Sequence, residues 1–174
     1  MKLLRSLFRR LCPLGPALLL VASAEGADAF AGSWMIDRET SSAFDPWRRI
    51  LLEVAVEGDA VTIERTVTTG RRTSVQAYPL KVGETVAVPV EWWTGNRHIG
   101  AYMGGDGQER IHAEWIDDGR TLRLESHYTL ATSQGETPVR SYHEYRLSRD
   151  GSTLRVIELR SSRTLPVVHV FHRR

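Results

Sequence analysis

Alternation of apolar and polar residues between tight turns is the feature that most constrains this chain. After residue 30, short stretches alternate with a period of two, and Asp-Gly, Gly-Asp or similar dipeptides separate most of them. Such dipeptides form hairpin loops because they tolerate positive φ. No helical stretch long enough to connect parallel strands lies between them, so the sequence predicts an all-β, antiparallel sheet. The predicted strands are 32–38, 48–57, 60–69, 72–80, 85–92, 97–103, 109–117, 120–131, 137–148, 153–161 and 166–172.

Three hairpins in the second half of the chain indicate which side chains face inward. A slip of one residue would move every side chain of a strand to the other face. With the loops placed as below, Leu122 lies between Trp115 and Leu147. Leu147 in turn lies opposite Leu154, so three independently assigned loops agree on one apolar face. The predicted two-residue loops are Asp118-Gly119, Gln134-Gly135 and Asp150-Gly151.

The same inner face becomes polar toward one end. The register places Ser126 opposite His143 and His143 opposite Glu158. Burying either of the last two side chains alone would cost several kcal/mol, so we expect them to be neighbours. A face that grades from apolar to polar predicts an up-and-down β-barrel of 8–10 strands with a packed floor and a polar mouth.

The interior of this barrel is the predicted binding site for a small apolar or amphipathic molecule. An eight-stranded barrel is just wide enough for packed side chains or one small ligand, so binding requires a cavity of a few hundred Å³. Leu124 and Val156 should contribute an apolar wall. The predicted ligand-binding residues are Arg65, Gln76, Ser126, Tyr128, His143, Tyr145, Glu158 and Arg160.

Other interpretations of the same residues stay open. His143 and Glu158 fit a satisfied polar pair in the core or a ligand contact better than they fit acid–base catalysis, because the sequence shows no nucleophile beside them. The barrel interior could also be solid. In that case the outward side chains of Tyr142, Ile157 and Leu159 would form an apolar patch for a protein partner in the cell envelope.

The histidines do not predict a metal site. The register turns His112 and His127 outward and His143 inward, and the sequence contains no HExxH motif. We therefore predict no metal, no cofactor and no catalytic set.

The first 24 residues have the layout of a secretory signal peptide. MKLLRSLFRR is basic, an apolar run follows from Leu11 to Val21, and Ala22-Ser23-Ala24 is a small-x-small cleavage site. Ala27-Asp28-Ala29 is a second possible cleavage site. The prediction is a cleaved segment 1–24, an exported domain over 25–174, and a periplasmic or extracellular location. We expect no transmembrane segment after cleavage.

Removing that segment changes the charge of the chain. The formal net charge of +2 includes the basic residues of 1–24, and 19 basic and 21 acidic residues remain, for a net charge of −2. The basic character belongs to the targeting segment, so the domain gives no support to nucleic-acid binding.

The start of the domain resembles a known family. Phe30-Ala31-Gly32-Ser33-Trp34 is similar to the aromatic-x-Gly-x-Trp opening of lipocalins, and Arg173 in the last strand is similar to the end of bacterial lipocalin-like domains. The resemblance implies an antiparallel barrel that carries a small apolar ligand, and ten-stranded relatives of that family bind fatty acids. It also implies that Trp34 closes the barrel floor, with Arg173 as its candidate partner.

Overall fold

A computed structural model of the chain describes residues 26–42, 48–70, 72–90 and 102–174. The predicted signal peptide, 1–24, and most of the strand predicted over 97–103 lie outside these residues. Within the described part of the chain, no helix has the length and apolar character needed to span a membrane.

The described residues form one short 3-10 helix, Asp28–Phe30, followed by strands. Their bounds agree with the predicted strands to within a few residues. The strands are β1 (Gly32–Asp37), β2 (Arg49–Glu57), β3 (Ala60–Thr69), β4 (Arg72–Lys81), β5 (Thr85–Pro89), β6 (Tyr102–Met103), β7 (Gln108–Ile116), β8 (Thr121–Thr132), β9 (Gly135–Leu147), β10 (Thr153–Arg160) and β11 (Val167–Arg173).

The strands form a nearly closed antiparallel barrel, which confirms the predicted fold class. Their order is β4-β3-β2-β1-β11-β10-β9-β8-β7-β5, and β6 pairs with the far end of β8. Each neighbour in this order is antiparallel. The ladder is open between β4 and β5. There the side-chain amide of Gln76 donates a hydrogen bond to the carbonyl oxygen of Pro89 at 3.2 Å.

Aromatic side chains close one end of the barrel. Trp34 is fully buried, and its indole N–H donates to the carbonyl oxygen of Phe30 at 2.9 Å. The ring of Phe30 in turn contacts that of Trp115, with centroids 4.9 Å apart. The 3-10 helix therefore lies across the floor, at the end where Arg173 also packs on Trp34. This is the arrangement that the family resemblance implied.

The core follows the period-two pattern of the strands. Alternate residues of nearly every long strand point inward and join one apolar cluster, including Leu52, Ile63, Leu122, Leu154 and Phe171. A second, smaller cluster of Tyr128, Leu130, Val139 and Met103 lies at the far end of β8 and β9. The barrel is thus packed most tightly at its floor.

Two of the three predicted hairpin registers are confirmed. In β7 and β8, Trp115 lies opposite Leu122, and in β9 and β10, Leu147 lies opposite Leu154. The prediction between β8 and β9 was wrong by two residues, because Leu122 lies opposite Tyr145 and not Leu147.

The error comes from the position of one loop. Gly135 begins β9, with φ of 116°, and pairs with Thr132, so the loop consists of Ser133 and Gln134. The hydroxyl of Thr132 donates to the carbonyl of Gly135 and accepts a hydrogen bond from the amide of Gln134, which holds the two-residue turn one position earlier than predicted. Because the shift is an even number of residues, every side chain keeps its predicted face.

Candidate functional site

The barrel encloses a cavity of about 50 Å³ between the packed floor and the mouth. Its walls combine apolar and ionisable side chains. The lining residues are Leu52, Arg65, Tyr78, Glu109, Ile111, Leu124, Ser126, His143, Tyr145, Val156, Glu158, His169 and Phe171. The volume is smaller than the predicted few hundred Å³, because long side chains such as Arg65, Tyr78 and Tyr145 point inward.

Five of the eight predicted ligand-binding residues line this cavity: Arg65, Ser126, His143, Tyr145 and Glu158. The other three lie outside its lining. Gln76 lies at the opening between β4 and β5, Tyr128 belongs to the second apolar cluster, and Arg160 is buried against Glu158. The assignment of all eight to ligand contact stays a prediction.

The shifted register changes how the polar residues meet. His143 lies opposite Glu158, as predicted, but on its other side it lies opposite Leu124 and not Ser126. Ser126 lies opposite Ser141, which lies opposite Arg160. The inner face therefore carries one row of Leu124, His143 and Glu158, and a second row of Ser126, Ser141 and Arg160 nearer the mouth.

Glu158 forms an ion pair with Arg160, two residues along β10. The guanidinium of Arg160 donates to Oε1 of Glu158, and both side chains are buried, with exposures of 6% and 11%. Burial opposes the ionisation of Glu158, but His143, Arg160 and Arg65 outweigh it and lower the pKa of this carboxyl. Glu158 is therefore a buried carboxylate with a fixed cationic partner.

His143 is the neighbour of this ion pair on β9. Its Nε2 lies 3.9 Å from Oε2 of Glu158, longer than a hydrogen bond but close enough for a strong charge interaction. Burial lowers the pKa of His143, and the positive charges of Arg65 and Arg160 add to this effect, whereas Glu158 acts in the opposite direction. At neutral pH the imidazole is therefore uncharged.

Glu109 on β7 has the same inward parity as Ile111, two residues later, but it was not among the predicted site residues. Burial raises the pKa of its carboxyl, and the negative charge of Glu158 adds to this effect. A hydrogen bond with Ser126 and the charges of Arg160 and Arg65 oppose it. The cavity therefore holds two carboxyl groups whose pKa values are displaced in opposite directions.

Three tyrosines place hydroxyl groups around these residues. Burial raises the pKa of Tyr128 to about 12 and that of Tyr145 to about 12. It also raises the pKa of Tyr78, to which Glu109 contributes. All three hydroxyls stay protonated at physiological pH, and Tyr78 and Tyr145, which line the cavity, can donate hydrogen bonds to a ligand.

The outer face of β9 and β10 carries the apolar residues predicted for the alternative interaction surface. Leu159 is 49% exposed, whereas Tyr142 and Ile157 are partly buried. The guanidinium of Arg140 lies 4.7 Å from the centre of the Tyr142 ring and covers part of it. The chain therefore shields some of this patch itself.

The described ranges contain no group of three or more His, Cys, Asp or Glu side chains arranged to hold a metal ion. The cavity instead offers hydroxyl groups, an imidazole, two carboxyl groups and guanidinium groups within one apolar barrel. This set suits an organic molecule with at least one polar group.

Solved structures with a similar fold include two lipid-binding proteins. A fatty acid binding protein of Schistosoma mansoni in complex with arachidonic acid gives a TM-score of 0.51 at 10% identity and covers 86% of this chain and 98% of that chain. The apo form of lipid binding protein 8 from Caenorhabditis elegans gives 0.51 at 11% identity, covering 84% and 96%. The chain shares their fold.

At the level of sequence the chain stands apart from these proteins. No protein-family model matches it, and no curated protein matches it. Identities near one tenth show a common barrel architecture and nothing finer, so the function must be argued from the cavity itself.

Proposed function

We propose that this protein binds a small apolar or amphipathic molecule inside the barrel. The observation that carries the proposal is the cavity in the barrel, whose wall combines apolar and ionisable side chains. Leu124 and Val156 provide apolar surface, and Arg65, His143 and Glu158 provide polar contacts. The similarity in fold to lipid-binding barrels supports this function.

The size of the cavity limits what enters without rearrangement. About 50 Å³ accommodates only a few heavy atoms, well below the volume of a drug-sized site. A longer apolar chain requires the side chains of Arg65, Tyr78 or Tyr145 to turn toward the mouth.

We also propose that the protein acts after export from the cytoplasm. The basic and apolar segment within residues 1–24 supports this location. N-terminal sequencing of the protein purified from its source organism tests it. A mature chain that begins at Glu25 is the expected result, and a chain that retains Met1 contradicts it.

Native mass spectrometry of the protein from its source organism tests the binding function. We expect a bound small molecule that is lost when the cavity is filled by Val156→Trp. Ile157→Trp is the matched control, because its side chain is the next one along β10 and points outward. The proposal fails if the native protein carries no ligand, or if Val156→Trp retains it as well as Ile157→Trp does.

A further inference from the structure

We propose that the cavity also catalyses proton transfer on a small carbonyl compound, with His143 as the base and Glu109 as the acid. The inference rests on the proposed function, because the substrate must enter the same cavity. It goes beyond binding in assigning a reaction to two of the cavity's side chains.

The first argument is geometric. His143 on β9 and Glu109 on β7 both line a cavity of about 50 Å³. Both side chains therefore border the space that a bound molecule would occupy. Glu109 is hydrogen-bonded to Ser126, which limits the positions of its carboxyl group.

The second argument concerns the charge that develops on the base. When His143 accepts a proton it becomes an imidazolium, and the carboxylate of Glu158 lies 3.9 Å from its Nε2. Opposite charges at this distance attract strongly in a buried site. Arg160 contacts Glu158 from its other side and keeps it ionised, so the stabilising charge is present before the reaction starts.

The third argument concerns the acid and the oxygen that it protonates. Burial favours the neutral form of Glu109, and burial also favours the neutral form of His143. In each residue, burial thus favours the form that proton transfer requires, a protonated acid and an unprotonated base. The cations Arg65 and Arg160 act on Glu109 and favour negative charge near it, as an enolate oxygen would have.

The reaction needs no further reagent. A lone pair on the His143 imidazole takes the proton from the carbon beside the carbonyl, and the electrons of that C–H bond form a carbon–carbon double bond. The carbonyl π electrons move onto oxygen, which takes the proton of Glu109. The products of this step are an enol, the imidazolium of His143 and the carboxylate of Glu109.

Return of the two protons completes the cycle. The imidazolium gives its proton to the same carbon, or to the far carbon of an adjacent double bond, and Glu109 regains the enol proton. The first route exchanges a hydrogen, and the second converts a β,γ-unsaturated ketone into its conjugated isomer. Both side chains end in their starting states.

Hydrogen exchange of acetone in D₂O tests the proposal, because acetone has only four heavy atoms and the cavity measures about 50 Å³. Proton NMR follows the loss of signal from the carbons beside the carbonyl, with the full-length chain and with buffer alone. The wild-type protein should accelerate the exchange, and His143→Gln and Glu109→Gln should each reduce that acceleration by about 100-fold. His127→Gln is the matched control, because His127 lies on the outer face of β8, 58% exposed, and should leave the rate unchanged.

The proposal is overturned if the wild-type protein does not exceed buffer, or if His143→Gln keeps the full rate. Glu109→Asp separates chemistry from folding, since it retains an acid and should keep more of the rate than Glu109→Gln. A native protein that carries a ligand but shows no exchange overturns this inference and leaves the binding function intact. If the native protein carries no ligand and Val156→Trp keeps the full rate, both proposals fail.

Discussion

The guanidinium of Arg173 lies 4.2 Å from the centre of the Trp34 ring, and the two residues are directly opposite each other in β11 and β1. Arg173 also donates hydrogen bonds to the carbonyl oxygens of Ala29, Ala31 and Gly151. One side chain near the end of the chain therefore joins the 3-10 segment, the first strand and the turn before β10.

Arg173→Ala should lower the free energy of unfolding by about 2 kcal/mol, because it removes a cation–π contact and three hydrogen bonds with a charged donor. Chemical denaturation measures the change. Arg155→Ala is the control, since Arg155 is exposed on the outside of β10 and should change stability little. Equal effects of the two substitutions would show that the floor does not depend on Arg173.

Gly32→Ala should destabilise the floor by about 2 kcal/mol, through strain at positive φ and a steric clash. Gly32 has φ of 135°, and a Cβ atom there would lie 2.6 Å from Nη1 of Arg173. Gly58→Ala is the matched control: its φ is 63°, with no atom within 4 Å of the added Cβ. If both variants lose the same free energy, the contact with Arg173 is not the reason for glycine at position 32.

Glu158→Gln should lower the free energy of unfolding by about 3 kcal/mol, because it removes the negative charge that pairs with the buried guanidinium of Arg160. Thermal unfolding at neutral pH measures the loss. Glu84→Gln removes the exposed partner of Lys81 and should change the melting temperature little. A Glu158→Gln protein that melts with the wild type would contradict a buried ion pair at this position.

Glu109→Gln should stabilise the protein at neutral pH. The folded state raises the pKa of Glu109 above its ordinary value of 4.5, so the folded protein binds a proton that the unfolded chain releases. The free energy of unfolding of the wild-type protein therefore falls as pH rises from 4.5 toward the folded pKa of Glu109. The uncharged amide side chain of the Glu109→Gln variant abolishes this loss. The melting temperatures of the wild-type protein and the Glu109→Gln variant, measured from pH 3 to pH 8, should diverge above pH 4.5 and coincide below it.

His143 gives the opposite slope. Its pKa is lowered from 6.5, so the unfolded chain binds a proton that the folded protein does not. The stability contribution of His143 is complete above pH 6.5 and is lost as pH falls toward the folded pKa. His143→Gln should therefore flatten the pH dependence of the melting temperature just below pH 6.5. If the melting temperature of the His143→Gln variant depends on pH as steeply as that of the wild type, His143 is not the source of this pH dependence.

The sequence was enough to predict the barrel, because alternation and turn residues act locally and repeat along the chain. Parity predicted that His143 and Glu158 share a face, and the structure places them opposite each other. Parity could not locate the β8–β9 loop, because Gly135 suits either a loop or the first position of a strand. The two loop positions change the register by two residues and leave every side chain on the same face.

The cavity could be predicted only in part. Glu109 has the inward parity of its strand, but the cavity that it borders is also lined by Arg65, Tyr78 and Tyr145, which come from distant parts of the chain. The free volume depends on which way these long side chains turn. Alternation with a period of two predicts that these side chains point into the barrel, but it does not predict which way each side chain turns once inside.

The interrupted ladder between β4 and β5 has a consequence for how the wall deforms. Every other neighbouring pair in the barrel is joined by backbone hydrogen bonds, so widening elsewhere would break several of them together. At this slit, within the described residues, the side-chain amide of Gln76 reaches across to Pro89. The barrel can therefore widen by separation of β4 and β5, while the backbone hydrogen bonds between all the other neighbouring strands are kept.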